Sequence, residues 1–200
     1  MSPAGARIVV ATGNAGKLRE VRALLQRRYE VVGLEAFPGV VLPEEGDDYH
    51  ENAIRKAHAA AIATGLPALA DDSGIEVEAL GGAPGPHSAR YGGASLDAAG
   101  RNRLLLTVLS DVPAHGRAAR FFCVAALALP DGTVESAEGE CRGRILETAS
   151  GRAGFGYDPV FQPEGFAGSM AELPDAEKNR LSHRGRAVAA LQPALVRLVG

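Results

Sequence analysis

The chain has 200 residues, enough for one sizeable hydrophobic core and not clearly enough for two, so a single domain over 1–200 is expected. Apolar residues make up 46 %, charged residues 22 %, and the net charge is −3, which argues against a protein built around a nucleic-acid backbone but leaves room for a small basic pocket. Two cysteines make neither a disulfide framework nor a zinc site, no apolar run approaches the ~20 residues of a membrane span, and MSPAGAR holds no apolar signal core; a reducing, cytoplasmic setting with no membrane partner is expected.

Arg7 to Thr12 reads as a buried strand, and Asn14 can cap a helix whose apolar positions Leu18, Val21, Leu24 and Leu25 follow the helical period. The turn between them is not a Walker A loop. Gly13 and Gly16 are separated by only Asn14 and Ala15, and Leu18 follows Lys17 where a magnesium-binding hydroxyl should stand. Glu30 to Leu34 is a second strand, followed by the acidic loop FPGVVLPEEGDD. ENAIRKAHAAAIAT is an alanine-rich helix with Ile54, Ala57, Ala61 and Ile62 in register and Gly65 as its stop.

LPALADDSG reads as a short strand running into an acidic turn, with Ile75 to Leu80 resuming as a strand. GGAPGPHSARYGG is a loop, and Ser95 can cap a helix ending near Leu109. RAARFFCVAALAL and TVESAEGECRGRI are strands joined at Asp131–Gly132, a good hairpin signal. SGRAGFGYDPVFQPEG is a glycine-rich loop around a short strand. The last helix covers roughly Leu181 to Leu198, with Pro193 expected to kink or split it. The pattern is α/β with a central mixed sheet, flanking helices and loops at the strand ends that would form a cleft.

The chemistry-bearing residues gather on loops. Asp71 and Asp72 are adjacent after an apolar strand, and in an extended chain they point to opposite faces, so one can serve a site while the other pairs structurally. Magnesium takes one or two protein carboxylates plus water and substrate phosphates, so Glu44 or Glu45 converging on one of them would make a metal site. Lys17, near a helix N-terminus, is either a solvated lysine or an anion ligand acting with free backbone N–H groups. AEKNRLSHRGRA, with Lys178, His183 and Arg184, is either a solvated face or a cationic wall. Phe155, between two glycines, either plugs a core or offers a face to a base. Cys123 sits in an apolar run and reads as a buried, inert thiol. His50, His58 and His115 look incidental, and His87 has no evident partner.

Taken together, ATGNAGKLREV, ENAIRKA, LADDSGIEVEALGGAPGPHSARYGG, GFGYDPVF and MAELPDAEKNRLSHRGRA resemble, in order and over nearly the whole chain, the inosine/xanthosine triphosphate pyrophosphatases. The resemblance implies an elongated α/β fold with two lobes around a substrate cleft, usually a homodimer. It also implies magnesium-dependent hydrolysis of deaminated purine nucleoside triphosphates (ITP, dITP, XTP) to the monophosphate and pyrophosphate. By position, Thr12, Gly13, Asn14, Ala15, Gly16 and Lys17 would form the phosphate loop. Glu44 and Asp72 would hold Mg2+, with Asp72 also the catalytic acid/base and Ser73 beside it on the substrate. Phe155, Gly156, Tyr157, Asp158, Lys178, His183 and Arg184 would contact the nucleotide. Where the family often has Thr-Phe before its Glu-Asn-Ala helix start, this chain has Asp48-Tyr49; the spacing to Gly46 favours Glu44, with Glu45 as the alternative.

Overall fold

A computed structural model describes residues 5–200; the first residues of MSPAGAR lie outside the described part. The strands are β1 (Arg7–Val10), β2 (Glu30–Gly33), β3 (Ala68–Val77), β4 (Ala118–Ala128), β5 (Val134–Ile145) and β6 (Phe161–Pro163). The helices are α1 (Ala15–Leu25), α2 (Tyr49–Thr64), α3 (Ala98–Val108), α4 (Asp175–Leu181) and α5 (His183–Val199). The strands form one mixed sheet in the order β2-β1-β3-β4-β5-β6, with β1 parallel to β2 and β3 and β5 antiparallel to β6. The expected α/β class, with helices flanking a mixed sheet, is what the chain adopts. Among the described residues no helix is long and apolar enough to cross a membrane.

The chain divides into two compact units. The first comprises the described residues up to Asp72, with Cys123–Gly139 and His183–Gly200. Its core holds Ile8, Val10, Val21, Leu25, Leu69 and Leu127, against which Val188, Leu191 and Leu195 of α5 pack. In α1, Asn14 caps as expected, its side chain accepting the Gly16 and Lys17 N–H groups. In α2, the helix starts two residues before Glu51, capped by Asp48, and its buried stripe is Tyr49, Asn52, Ala53, Lys56, Ala57, Ala60 and Ala61. Small alanines let the helix lie close, and two polar residues share that stripe. Ile62, expected on it, is 59 % exposed.

The second unit comprises Ser73–Phe122 and Glu140–Ser182. Its core centres on Ile75, Leu105, Ile145, Met170 and the edge-to-face pair Phe121–Phe161, whose ring centroids are 4.6 Å apart. Arg117 is buried here and donates to the carbonyls of Leu109 at the end of α3, of Val112 in the loop after it and of Leu146 just past β5, tying the three segments together.

Four local expectations change. ADDSG is no turn: β3 runs unbroken through Asp71 and Asp72, because their charges are met by side chains from other elements. Helix α3 is capped by Asp97, whose carboxylate accepts the Gly100 N–H at 2.7 Å, rather than by Ser95. The stretch before the last helix forms its own helix, α4. Pro193 does not split α5; Ala189, whose carbonyl loses its intrahelical donor there, is exposed to water.

Candidate active site

In the first unit, β1 ends in the turn Thr12–Ala15. Thr12 Oγ1 accepts the Asn14 N–H (3.1 Å), and Asn14 Oδ1 accepts those of Gly16 (2.8 Å) and Lys17 (3.2 Å). The cap thus takes two of the backbone N–H groups that an anion at this helix start could otherwise use. Gly13 is exposed, and an added Cβ would meet nothing within 4 Å, so the protein's own packing does not call for glycine there. Lys17 is no solvated lysine: its Nζ lies 3.1 Å from Asp71 Oδ2.

The two aspartates separate as strand alternation requires. Asp71, 1 % exposed, takes Nε and Nη2 of Arg184 on one oxygen at 3.1 and 3.0 Å, and Arg184 Nη1 reaches Glu20 at 2.5 Å. Burial alone would raise the Asp71 pKa, but Arg184, Lys17 and Lys56 outweigh it and hold the carboxyl well below the usual range. Cys123 Sγ lies 3.9 Å from the same oxygen, and burial pushes its thiol up, which keeps it protonated and inert as expected. His183 opens α5 beside Arg184 and is buried.

Asp72, 2 % exposed, faces α2 instead. Asn52 Nδ2 donates to its Oδ2 at 2.8 Å, and Lys56 Nζ stands 3.5 Å from its Oδ1. Lys56 also donates to Glu45 (2.5 Å) and to the Asp71 carbonyl (2.8 Å). Burial pushes the Asp72 carboxyl up; Lys56, the Asn52 hydrogen bond and Lys17 pull it back, Glu45 adds to the rise, and the net direction is upward. For Lys56, burial works downward but Asp71, Asp72 and Glu45 prevail, so the ammonium stays charged.

Two carboxylates from different elements, Asp72 and Glu45, therefore converge on one cation. That is the donor set magnesium uses when substrate phosphates and water complete its shell. Among the described residues no group of three or more His, Cys, Asp and Glu forms a closed metal cage. Glu44 is exposed on the same loop.

In the second unit, Ser73 follows on β3, half-buried. GFGYDP folds around Asp158, whose Oδ2 accepts the Phe155 N–H (2.7 Å) and the Lys178 ammonium (2.5 Å). Gly154 and Gly156 have φ of 75° and 61°, and a Cβ on Gly154 would stand 2.1 Å from Asp158 Oδ2, so the loop needs glycine at both positions for conformation and at one for space. Lys178 Nζ sits 4.9 Å from the centre of the half-buried Phe155 ring. Tyr157 is buried and its hydroxyl donates to the Ser88 carbonyl at 2.9 Å. Asn102 on α3 donates to the Gly156 carbonyl at 3.0 Å. His87, for which the sequence offered no partner, lies 2.7 Å from Arg90.

Sequence reading missed Asn52, Glu20 and Asn102. Their signal was faint: each is a polar residue placed on the buried side of a helix.

Comparison with known proteins gives one answer. The chain is 50 % identical over 198 residues to the dITP/XTP pyrophosphatase of Streptomyces avermitilis, covering 97 % of this chain and 99 % of that protein. It is 53 % identical over 192 residues to the dITP/XTP pyrophosphatase of Deinococcus deserti, covering 95 % and 89 %. Its fold matches the structure of a HAM1 protein from Coxiella burnetii with a TM-score of 0.84 at 39 % identity, covering 96 % of this chain and 99 % of that one. Residues 8–194 match the Ham1 family, and the chain belongs to that family.

Proposed function

We propose that this protein hydrolyses noncanonical purine nucleoside triphosphates (dITP, ITP and XTP) to the monophosphate and pyrophosphate, clearing them from the nucleotide pool. The observation that carries the mechanism is Asp72: a buried carboxylate with a raised pKa, clasped by an amide and sharing an ammonium with Glu45.

A triphosphate carries about four negative charges, so an attacking water meets strong repulsion, and catalysis here depends on positioning and electrostatics. Bound Mg2+ would neutralise phosphate charge and polarise the reacting phosphorus. Asp72 and one carboxylate of the Glu44–Glu45 pair would hold it. Spacing favours Glu44 and the shared Lys56 favours Glu45; Glu44→Gln and Glu45→Gln, made separately, distinguish them, since only loss of the ligand raises the Mg2+ requirement.

Asp72 orients a water and takes its proton; the water's oxygen bonds to the α-phosphorus as the bond to the bridging oxygen breaks and pyrophosphate leaves. Lys17 and Lys56 offset phosphate charge. The turn Thr12–Gly16 follows the phosphates, and the open space at Gly13 suits a close approach of backbone to ligand. Ser73, Phe155–Asp158, Lys178, His183 and Arg184 contact the nucleotide. His183 and Arg184 are donors to a 6-carbonyl, and Asp71 and Glu20 hold the guanidinium in one orientation. Adenine would leave such donors facing an amino group, and sites built this way discriminate by ~10⁴. The reading extends to one catalytic domain spanning the chain, acting as a cytoplasmic homodimer with no nucleic-acid polymer as partner.

The test is ITP against ATP with Mg2+, products separated by anion exchange. IMP plus pyrophosphate, with ATP spared, is expected. IDP plus phosphate would mean attack at the γ-phosphorus and would defeat the mechanism, and absence of ITP turnover would defeat the function.

A further inference from the structure

Asp72 and the acidic loop come from different elements, and something must set their separation. Asn52 lies between them. Asparagine is a poor residue for a helix interior, and an amide 2 % exposed must have its polar atoms met. Its Oδ1 accepts the Gly46 N–H at 2.7 Å, and its Nδ2 donates to the Gly46 carbonyl at 3.1 Å and to Asp72 Oδ2 at 2.8 Å. Gly46 is gripped on both polar atoms of its own residue by one side chain, which fixes its place and its tilt. Glu45 and Glu44 immediately precede it. One α-helical turn along, Lys56 bridges Glu45 and Asp72, so the same helix face braces both partners twice. Only a primary amide of this length can accept from Gly46 while donating to both Gly46 and Asp72.

We infer that Asn52 is a positioning residue that holds the acidic loop and Asp72 in register, so that the two carboxylates are presented together. As far as it concerns turnover, the inference rests on the function proposed above.

Two variants separate its roles. Asn52→Asp keeps an acceptor for the Gly46 N–H but loses both donors and adds a like charge beside Asp72. Asn52→Ala loses all three hydrogen bonds. For each, hydrogen exchange at the Gly46 amide is followed by NMR, with thermal unfolding and the kcat and KM for dITP at saturating Mg2+. In Asn52→Ala, Gly46 exchange should accelerate and kcat should fall about ten- to hundredfold, as for other partners of a metal-binding group. In Asn52→Asp, Gly46 should stay protected while kcat falls at least as far. In both, KM should change much less than kcat, because the phosphate and base contacts are untouched. Turnover per folded molecule within about twofold of wild type in either variant, ~0.4 kcal/mol by the transition-state relation, would overturn the inference. So would failure of both to fold, which would make Asn52 structural. A wild-type protein that does not hydrolyse dITP would sink the proposed function instead, and the exchange contrast at Gly46 would still report the clasp.

Discussion

Asp71 and Asp72 are neighbours in one strand, equally buried, yet the protein treats them oppositely. Asp71 meets a guanidinium through two nitrogens and an ammonium at 3.1 Å, and its pKa falls despite burial. Asp72 meets one neutral amide and an ammonium 3.5 Å away that it shares with Glu45, and its pKa rises. Burial is common to both, so the supply of positive charge decides the outcome. The well-neutralised carboxylate belongs to the scaffold. The under-neutralised one is ready for a further cation or a proton, as perturbed groups at functional sites are.

The largest effect should come from removing the under-neutralised acid. Asp72→Asn is expected to lower kcat by about 10²–10⁴-fold, the range of a lost general base, with an unfolding temperature equal to or above wild type. Near-normal turnover would break the contrast at once.

Asp71→Asn should do the reverse in kind. It leaves the buried Arg184 with Glu20 alone and takes the carboxylate from Lys17, and its cost should be about 3–5 kcal/mol of unfolding free energy in a denaturant titration. The pH dependence sharpens this. The folded-state pKa of Asp71 lies below that of a free aspartate, ~3.9, so ionisation stabilises the fold at every pH above that value. That contribution is lost as pH falls through the folded value. The stability gap between wild type and Asp71→Asn should be flat above about pH 5 and shrink in more acidic buffer; a gap that grew on acidification would reverse the assigned direction.

Glu20→Gln leaves Arg184 with Asp71 alone, and a smaller loss, about 1–3 kcal/mol, is expected by the same titration. The smallest change is Ile62→Lys, expected to alter stability by no more than about 0.5 kcal/mol because the side chain already faces water.

That last position shows what the sequence could not say. Ile62 fits the helical register, but alanines occupy the buried stripe of α2, and periodicity alone cannot tell which apolar residues pack. Local chemistry was legible: Asn14 and Asp131–Gly132 act through neighbours in the chain, and α1 and the β4–β5 pair follow from them. The course of β3 was not legible, because Asp-Asp-Ser-Gly is turn chemistry unless cations arrive from elsewhere, and Lys17, Lys56 and Arg184 come from three different helices. Helix α4 was hidden for a related reason. Its charges fit a solvated face as well as a cationic wall, and what decides between them is Lys178's burial against Asp158, 20 residues away. The motif residues themselves were readable as a set; Asn52, Glu20 and Asn102, which brace them, carry only the faint mark of a polar residue on a helix's buried side.

Arg184 stands 113 residues after Asp71 and 164 after Glu20. During synthesis, β3 therefore leaves the ribosome with an acid meant for burial long before its guanidinium has been translated. A chain that stalls short of α5 seats that strand with only Lys17 and Lys56 facing Asp71, and without the guanidinium that takes its buried oxygen through two nitrogens. Such a fragment is expected to stay open and accessible to proteases. Completion of the polypeptide thereby supplies the last cation that β3 and Glu20 share, and a half-made copy is held less firmly than a whole one.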